Sequence, residues 1–272
     1  MTLSRREVLA ATGAPLFPAA GMPRRTLHLH REGFPARPVF DTAVSRALLE
    51  AAAAGTGPEA FRLFVPGRVL AFGARDATHP GYPQAVAAAR AEGFAPVERL
   101  AGGRAAVFHE QTLAFAWALP DPEPRRSIHL RFRELADLVA GALASLGVDA
   151  RVGEVPGEYC PGEYSVNAGG RRKVMGVGQR LVARAAHMGG VVVVDRPDLV
   201  NRALTPVYAC LGFAWDPAAT GSVADTVPAS TDTVAGALVA ALAARHEVIE
   251  APLPASVLER AEALAALAPP SG

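Results

Sequence analysis

Hydrophobic and polar positions along this chain follow two periods, and the switches between them lay out an irregular succession of helices and strands. Val44, Ala47, Leu48 and Ala51 recur at helical spacing behind Asp41, a residue type suited to N-capping. They predict a helix over 42–53 that Gly55 and Gly57 end. Residues 61–65 and 69–72 are short apolar runs on either side of Pro66-Gly67 and read as strands. A second helix is predicted over 82–92, closed by Gly93. Residues 96–100, a Gly102-Gly103 turn and a strand pair over 104–108 and 112–118 come next. Leu135, Leu138, Val139, Leu143 and Leu146 form the apolar face of a long helix over about 127–146, closed by Gly147. The stretch 149–194 is strand-rich, and the valines at 191–194 make a run suited to a buried strand. Two more helices are predicted over 231–245 and 254–267, with 216–230 as a linker leading to this C-terminal helical pair.

The irregular interleaving predicts an α+β fold with a mixed sheet packed against helices, not a regular βαβ alternation. No internal repeat and no second domain is visible, so residues 1–26 read as a leader and 27–272 as one domain. The 272 residues, half of them hydrophobic, suffice for one sizeable core. With 27 basic and 26 acidic residues the charge balance gives no reason to expect a nucleic acid or a membrane surface as partner. Two cysteines, Cys160 and Cys210, are too few for a disulfide framework or a thiol-built metal cluster. No apolar run reaches the roughly 18 to 20 residues of a spanning helix. Ser4-Arg5-Arg6-Glu7-Val8-Leu9 resembles a twin-arginine export signal, with Ala19-Ala20 placed to precede a cleavage site. The apolar stretch behind it is short and broken by Pro15 and Pro18, which suits a leader on a cytoplasmic protein instead.

The chemistry concentrates in two segments. Glu158-Tyr159-Cys160-Pro161-Gly162-Glu163-Tyr164-Ser165-Val166 places a thiol on a Pro/Gly turn, whereas Cys210 sits in an apolar run and reads as core. Lys173 follows, in a Gly-punctuated strand. Lysine is rare here, and this one reads either as a solvated residue beside Arg171-Arg172 or as a compact cation for an oxyanion. The second segment, Arg99-Leu100-Ala101-Gly102-Gly103-Arg104, leads to His109. Paired glycines there allow close approach to the backbone, or make an ordinary hairpin turn. Its spacing fits neither a dinucleotide fingerprint nor a P-loop. His187, before Gly189-Gly190, reads as a general base or as a turn cap. Glu98, Glu110, Glu158 and Glu163 lie near these motifs without the spacing of a metal site.

Together, Arg99-x-x-Gly102-Gly103-x-Ala105-x-Val107-x-His109, Lys173-x-x-Gly176-x-x-Gln179-Arg180 and His187-x-Gly189 resemble the lipoate–protein ligase and octanoyltransferase family over roughly residues 38–215. The Cys160 segment is similar to that family's cysteine-dependent branch. The resemblance implies the catalytic fold shared with biotin–protein ligases and an acyltransferase that moves an octanoyl or lipoyl group onto lipoyl-domain lysines. It implies Cys160 as nucleophile, Lys173 as the group that favours the thiolate and holds the carbonyl oxygen, and Arg99, Gly102, Gly103, His109, Gly176, Gln179 and His187 as substrate-binding. It also implies an acyl carrier protein or lipoyl-bearing H-protein as donor, lipoyl domains of 2-oxoacid dehydrogenase subunits as acceptor, a cytoplasmic location, and no cofactor. An ATP-dependent ligase would instead use ATP and Mg2+ to make a lipoyl-adenylate and would need no cysteine. A non-catalytic paralogue would bind acyl chains or a carrier without turnover. Two positions depart from the pattern: Tyr164-Ser165 stands where a Tyr-Asp pair is expected, and Glu110-Gln111-Thr112 replaces an Asp-Gly-Asn type of turn.

Overall fold

In the computed structural model the described residues are Leu16 and 23–267. The expected leader and its twin-arginine motif therefore lie, up to residue 22 and apart from Leu16, outside them. The elements run β1 (Thr26–His30), α1 (Pro38–Ala54), β2 (Ala60–Phe64), β3 (Val69–Phe72), α2 (Ala74–Ala77), α3 (Tyr82–Ala91), β4 (Ala95–Glu98), β5 (Ala106–Phe108), β6 (Thr112–Pro120) and α4 (Ile128–Ser145). They continue with β7 (Ala150–Val152), β8 (Val166–Ala168), β9 (Arg172–Val182), β10 (Ala185–Val193), α5 (Pro197–Cys210), α6 (Thr231–Ala243), β11 (Glu247–Glu250) and α7 (Ala255–Ala266).

Eight strands form one mixed sheet in the order β11-β1-β2-β6-β10-β9-β8-β7, and β4-β3-β5 form a smaller one. The α+β expectation holds. β6 explains the layering. Its sequence alternates small and large residues, so Leu113, Phe115, Trp117 and Leu119 fall on one face and Ala114, Ala116 and Ala118 on the other. The large face joins Met175, Met188 and Val192 in the main core beneath α4 and α6. Register carries the small face across the sheet: Ala114, Ala116 and Ala118 pair with Val191, Gly189 and His187 on β10, and these with Gly176, Gly178 and Arg180 on β9. On the other side the same three alanines pair with Phe64, Arg62 and Ala60 of β2. α1 packs over this face, where Val44, Leu48 and Ala52 meet Ala60 and Ala118.

Several expectations need correction. α1 starts at Pro38, whose fixed φ and missing N–H suit a first turn, so Asp41 is not the N-cap. Asp41 lies inside that turn, accepts the Phe34 N–H at 3.1 Å and pairs with buried Arg62 at 2.7 Å. The strand pair around 104–118 does not pair internally, because β5 joins β3 and β6 joins the large sheet. Residues 216–230 are not a free linker: Gly221 donates its N–H to the Lys173 carbonyl at 2.9 Å, and Thr220 and Ser222 are buried. The C-terminal helices do not pair with each other. α6 packs on α4 and α7 on α1, because β11 runs between them and joins β1 in parallel. Four elements had no prediction. α2 is a single turn, β1 and β11 are short, and α5 begins at Pro197 and contains Pro206, which interrupts a helical pattern. Cys210 ends α5 half-buried against the second hydrophobic cluster.

Candidate active site

Small residues on one sheet face leave room between the sheet and whatever covers it. Here that room is a cavity of about 490 Å³, lined by Ala114, Ala116, Gly176, Gly178, Gly189 and Val191 from below and by the loop of Arg99 to Gly103 and the Cys160 loop from the side. The far end is polar: Asp41 and Ser45 line it, held by the fully buried Arg62 at 2.7 and 3.2 Å. The depth of this space follows from missing side chains. A Cβ on Gly178 would sit 2.6 Å from the Gly102 carbonyl oxygen, and one on Gly189 would sit 2.6 Å from His187 Nε2.

Cys160 is half-buried at the cavity wall, and its φ of 43° lies in the left-handed region that non-glycine residues rarely enter. Two side chains hold it there. Tyr208 Oη accepts the Cys160 N–H at 3.0 Å and donates to the Ala105 carbonyl at 3.0 Å, tying the thiol loop to the small sheet. Glu158, whose carboxylate is fully buried, accepts the N–H groups of Val155 and Gly162 and the hydroxyl of Ser165, at 3.0, 3.1 and 2.6 Å. Cys160 Sγ accepts the backbone N–H of Arg104 at 3.1 Å and lies 3.9 Å from Arg99 Nη1. Gly103, at φ 111°, makes this approach possible, since a Cβ there would stand 2.9 Å from Sγ.

Lys173 is the only lysine in the chain and is buried. Its Nζ donates to Glu158 Oε1 at 2.9 Å, to the Tyr159 carbonyl at 3.0 Å and to the Cys160 carbonyl at 2.8 Å. Those three bonds use all three donors of an ammonium group. Lys173 therefore holds the backbone of the thiol loop, and the groups that meet the sulfur itself are Arg104 N–H and Arg99. Arg99 lies beside the sulfur, with Nη1 donating to the Arg104 carbonyl at 2.9 Å.

The remaining predicted residues divide between the cavity and its frame. Gly102, Gly103, Gly176, Gln179 and His187 line the cavity. Gly102 donates its N–H to the Gln179 carbonyl at 3.2 Å, which ties the Arg99 loop to β9. The Gln179 side chain is committed elsewhere: Oε1 accepts from buried Arg131 at 2.9 Å, and Nε2 meets Met188 Sδ at 2.8 Å. Gln179 thus braces α4 against the sheet. Burial, with the positive charges of Arg99 and Arg62, pushes the His187 imidazole down to about 3, so it is neutral. His109 does not reach the cavity. Phe108 faces it, and the next side chain along the strand points away, where His109 Nδ1 accepts the Gln111 N–H at 3.1 Å. Burial holds His109 down to about 4.

Both departures from the family pattern have local reasons. Ser165 donates to Glu158, and an aspartate there would set a second carboxylate against it. The Glu110-Gln111-Thr112 turn is closed by Gln111 and Thr112 on His109 and by an ion pair of Glu110 with Arg68 at 2.6 Å. Tyr208, Gly178 and the alanines of β6 stand outside the residues the motifs single out, and Glu158 stands among them with no role that spacing assigns. The alternation along 113–119 was the available signal for the alanines. Tyr208 had none, since its partners are 48 and 103 residues away. Among the described residues no group of three or more His, Cys, Asp or Glu side chains is placed to hold a metal ion. Among them, too, no helix is long and apolar enough to cross a membrane.

Residues 37–212 match the family model for the lipoyl protein ligase A/B catalytic domain. An octanoyl-[GcvH]:protein N-octanoyltransferase of Geobacillus kaustophilus is 33% identical over 160 residues, 57% of this chain and 54% of that protein. A lipoyl-[GcvH]:protein N-lipoyltransferase of Listeria monocytogenes is 25% identical over 162 residues, 58% of each chain. The match thus spans little more than half the length of these curated relatives. The fold resembles that of the bi-partite lipoate protein ligase from Thermoplasma acidophilum, with a TM-score of 0.69 at 18% identity, covering 90% of this chain and 93% of the other.

Proposed function

The chain belongs to the lipoyl protein ligase A/B catalytic domain family, and within it we propose that the protein transfers an octanoyl or lipoyl group between protein carriers through a thioester on Cys160. One observation carries this reading: Cys160 Sγ sits at the wall of an apolar cavity and accepts the Arg104 N–H at 3.1 Å. A sulfur nucleophile and a medium-length acyl chain can meet there. From β9 to β2 the cavity floor crosses three inter-strand spacings, about 14 Å. An extended eight-carbon chain, at about 1.3 Å per carbon, fits within that length. Burying seven of its carbons is worth about 6 kcal/mol at roughly 0.8 kcal/mol per methylene.

In the first half-reaction the Cys160 thiolate attacks the acyl carbon of the donor, and the carrier leaves. In the second, a lysine amine of the acceptor attacks the thioester and Cys160 is released. The names of the relatives support a GcvH-type lipoyl protein as donor, with an acyl carrier protein as the other donor to test and lipoyl domains of 2-oxoacid dehydrogenase subunits as acceptors. On this reading residues 27–272 act as one catalytic domain, the reaction is cytoplasmic, and neither ATP nor a metal takes part.

The test is intact-protein mass after mixing the enzyme with octanoyl-GcvH or octanoyl-acyl carrier protein without ATP. The expected result is a gain of one octanoyl group that maps to Cys160 and is absent from Cys160→Ser. The single lysine is buried in the loop frame, so no lysine side chain of the enzyme competes with Cys160 for the octanoyl group. No adduct from either donor, or an adduct that survives Cys160→Ser, sinks the thioester route. Adenylate formation from ATP and free lipoate, with full activity in Cys160→Ala, would mark an ATP-dependent ligase instead.

A further inference from the structure

His187 is 3% exposed and lines the cavity, yet among the described residues neither of its ring nitrogens has a hydrogen-bond partner. Nδ1 is fully buried, and Nε2 hangs over the cavity floor, 2.6 Å from where a Cβ on Gly189 would stand. The ring thus fills space that Gly189 leaves open. It is no base for an incoming lysine, because an imidazole held down to about 3 takes up no proton near neutrality. Nor does it cap a turn, since it lies within β10, opposite Ala118 and Arg180. The polar side chains at the far end of the cavity are already paired, Asp41 with Arg62 and the Phe34 N–H, and Ser45 with Arg62 and the Asp41 carbonyl. A buried imidazole with nothing to bond is costly in a cavity built for an acyl chain, unless the chain brings it a partner.

The neighbouring contacts fix how far along the chain the ring lies. Arg99 Nη1 is 3.9 Å from Cys160 Sγ, and Arg99 Nη2 is 2.7 Å from where a Cβ on Gly178 would stand. Gly178 pairs with Gly189, and with a strand spacing of about 4.8 Å these steps put the His187 ring about 10 Å from the sulfur. An acyl chain on Cys160, extended at about 1.3 Å per carbon, brings its distal carbons to that depth. A saturated octanoyl chain has only methylenes and a methyl there. It drives water from the imidazole and returns no hydrogen bond. A lipoyl chain carries sulfurs on its sixth and eighth carbons, and such a sulfur is a weak acceptor for an imidazole N–H. We infer that His187 selects the acyl group: its N–H donates to a sulfur of the dithiolane ring, so that the protein takes a lipoyl group in preference to an octanoyl group. This deepens the transferase reading and rests on the acyl chain lying in the cavity with its carbonyl at Cys160.

The experiment is kcat/KM for lipoyl-GcvH and octanoyl-GcvH with one acceptor lipoyl domain, in the parent, His187→Leu and His187→Gln. The parent should favour the lipoyl donor by about three- to tenfold, the worth of one hydrogen bond otherwise left unmade. His187→Leu should abolish that preference by slowing lipoyl transfer while octanoyl transfer is kept or quickened. His187→Gln retains an N–H donor and should retain the preference. A ring that only packs would slow both donors alike, so the ratio of the two donors is the readout. A parent that favours octanoyl-GcvH, or equal losses for both donors in His187→Leu, would overturn the inference, and the parent ratio decides the matter if His187→Leu does not fold. If neither donor acylates Cys160, the transferase reading fails by itself. Calorimetry of free lipoate and octanoate then tests the ring directly: tighter binding of lipoate in the parent and not in His187→Leu upholds its role, and equal binding of the two acids by the parent overturns it.

Discussion

Glu158→Ala should be among the most damaging single substitutions in this protein, and its cost can be worked from the contacts. The Glu158 side chain is fully buried and that of Lys173 is 2% exposed, with 2.9 Å between Oε1 and Nζ. Deleting one partner of a buried pair leaves the other charge uncompensated, at a cost of about 3–5 kcal/mol. The N–H groups of Val155 and Gly162 also lose their acceptor. Each orphaned buried N–H costs about 1–3 kcal/mol, but water entering the vacated space would satisfy part of that demand, so the total is set at the pair's own range. For a chain of this length about 2–4 °C of melting temperature goes with each kcal/mol, so the midpoint should drop by on the order of 10 °C. The assay is urea unfolding of four proteins: parent, Glu158→Ala, Lys173→Met and the double variant. The double variant removes both charges and should recover at least about 2 kcal/mol relative to the sum of the singles. Acylation of Cys160 should fall in Glu158→Ala as well, because the loop that presents the thiol loses its frame. A cost under about 1 kcal/mol for Glu158→Ala, or simple additivity of the two singles, would refute the reasoning.

Three further outcomes follow from the geometry. Gly178→Ala puts a Cβ 2.6 Å from the Gly102 carbonyl and should cost about 1–3 kcal/mol together with most Cys160 acylation; Gly141→Ala, in the exposed face of α4 with nothing within 4 Å, should raise stability by about 0.5–1 kcal/mol, both read by urea unfolding. Ala116→Leu fills the cavity floor and should lower kcat/KM for octanoyl donors by up to about two hundredfold, the worth of roughly four buried methylenes, while sparing butyryl donors; equal losses for both would place the chain elsewhere. The neutral imidazole of His187, held down to about 3 against its ordinary 6.5, should make stability complete above pH 6.5 and progressively lost as pH falls towards 3, amounting to about 3 kcal/mol at pH 4. His187→Gln should flatten that slope in denaturation curves taken at each pH, and an unchanged slope would mean that another group carries the acid sensitivity.

Elements with a strong local period were legible from the chain alone. The apolar stripe of α4, the valines at the end of β10 and the glycines that close α1, α3 and α4 each express their conformation within a few residues. Where the local rule met a competing long-range partner, the reading slipped. Asp41 has the chemistry of an N-cap, but its carboxylate is drawn to Arg62 and to the Phe34 N–H, so Pro38 sets the helix start. β1 and β11 carry too few residues to show a period, and they become strands by pairing with each other across more than 200 residues. His109 illustrates the limit of motif transfer. It occupies its expected place in the pattern, yet strand alternation turns it from the cavity.

By itself the sequence determined the chemical cast: one thiol on a Pro/Gly turn, one lysine in a glycine-punctuated strand, and an arginine before paired glycines, in an order that identifies the family. It also carried the small-and-large alternation along β6 that hollows out the cavity. Tertiary structure alone decided which cation stands beside which group. Arg99, Arg104, Glu158, Cys160, Lys173 and Tyr208 come from four separate segments, and their distances depend on sheet register and on two glycine contacts between segments. Local periodicity has no term for such contacts. A lysine 13 residues from the thiol is therefore spent on backbone carbonyls and a carboxylate, and an arginine 61 residues away reaches the sulfur.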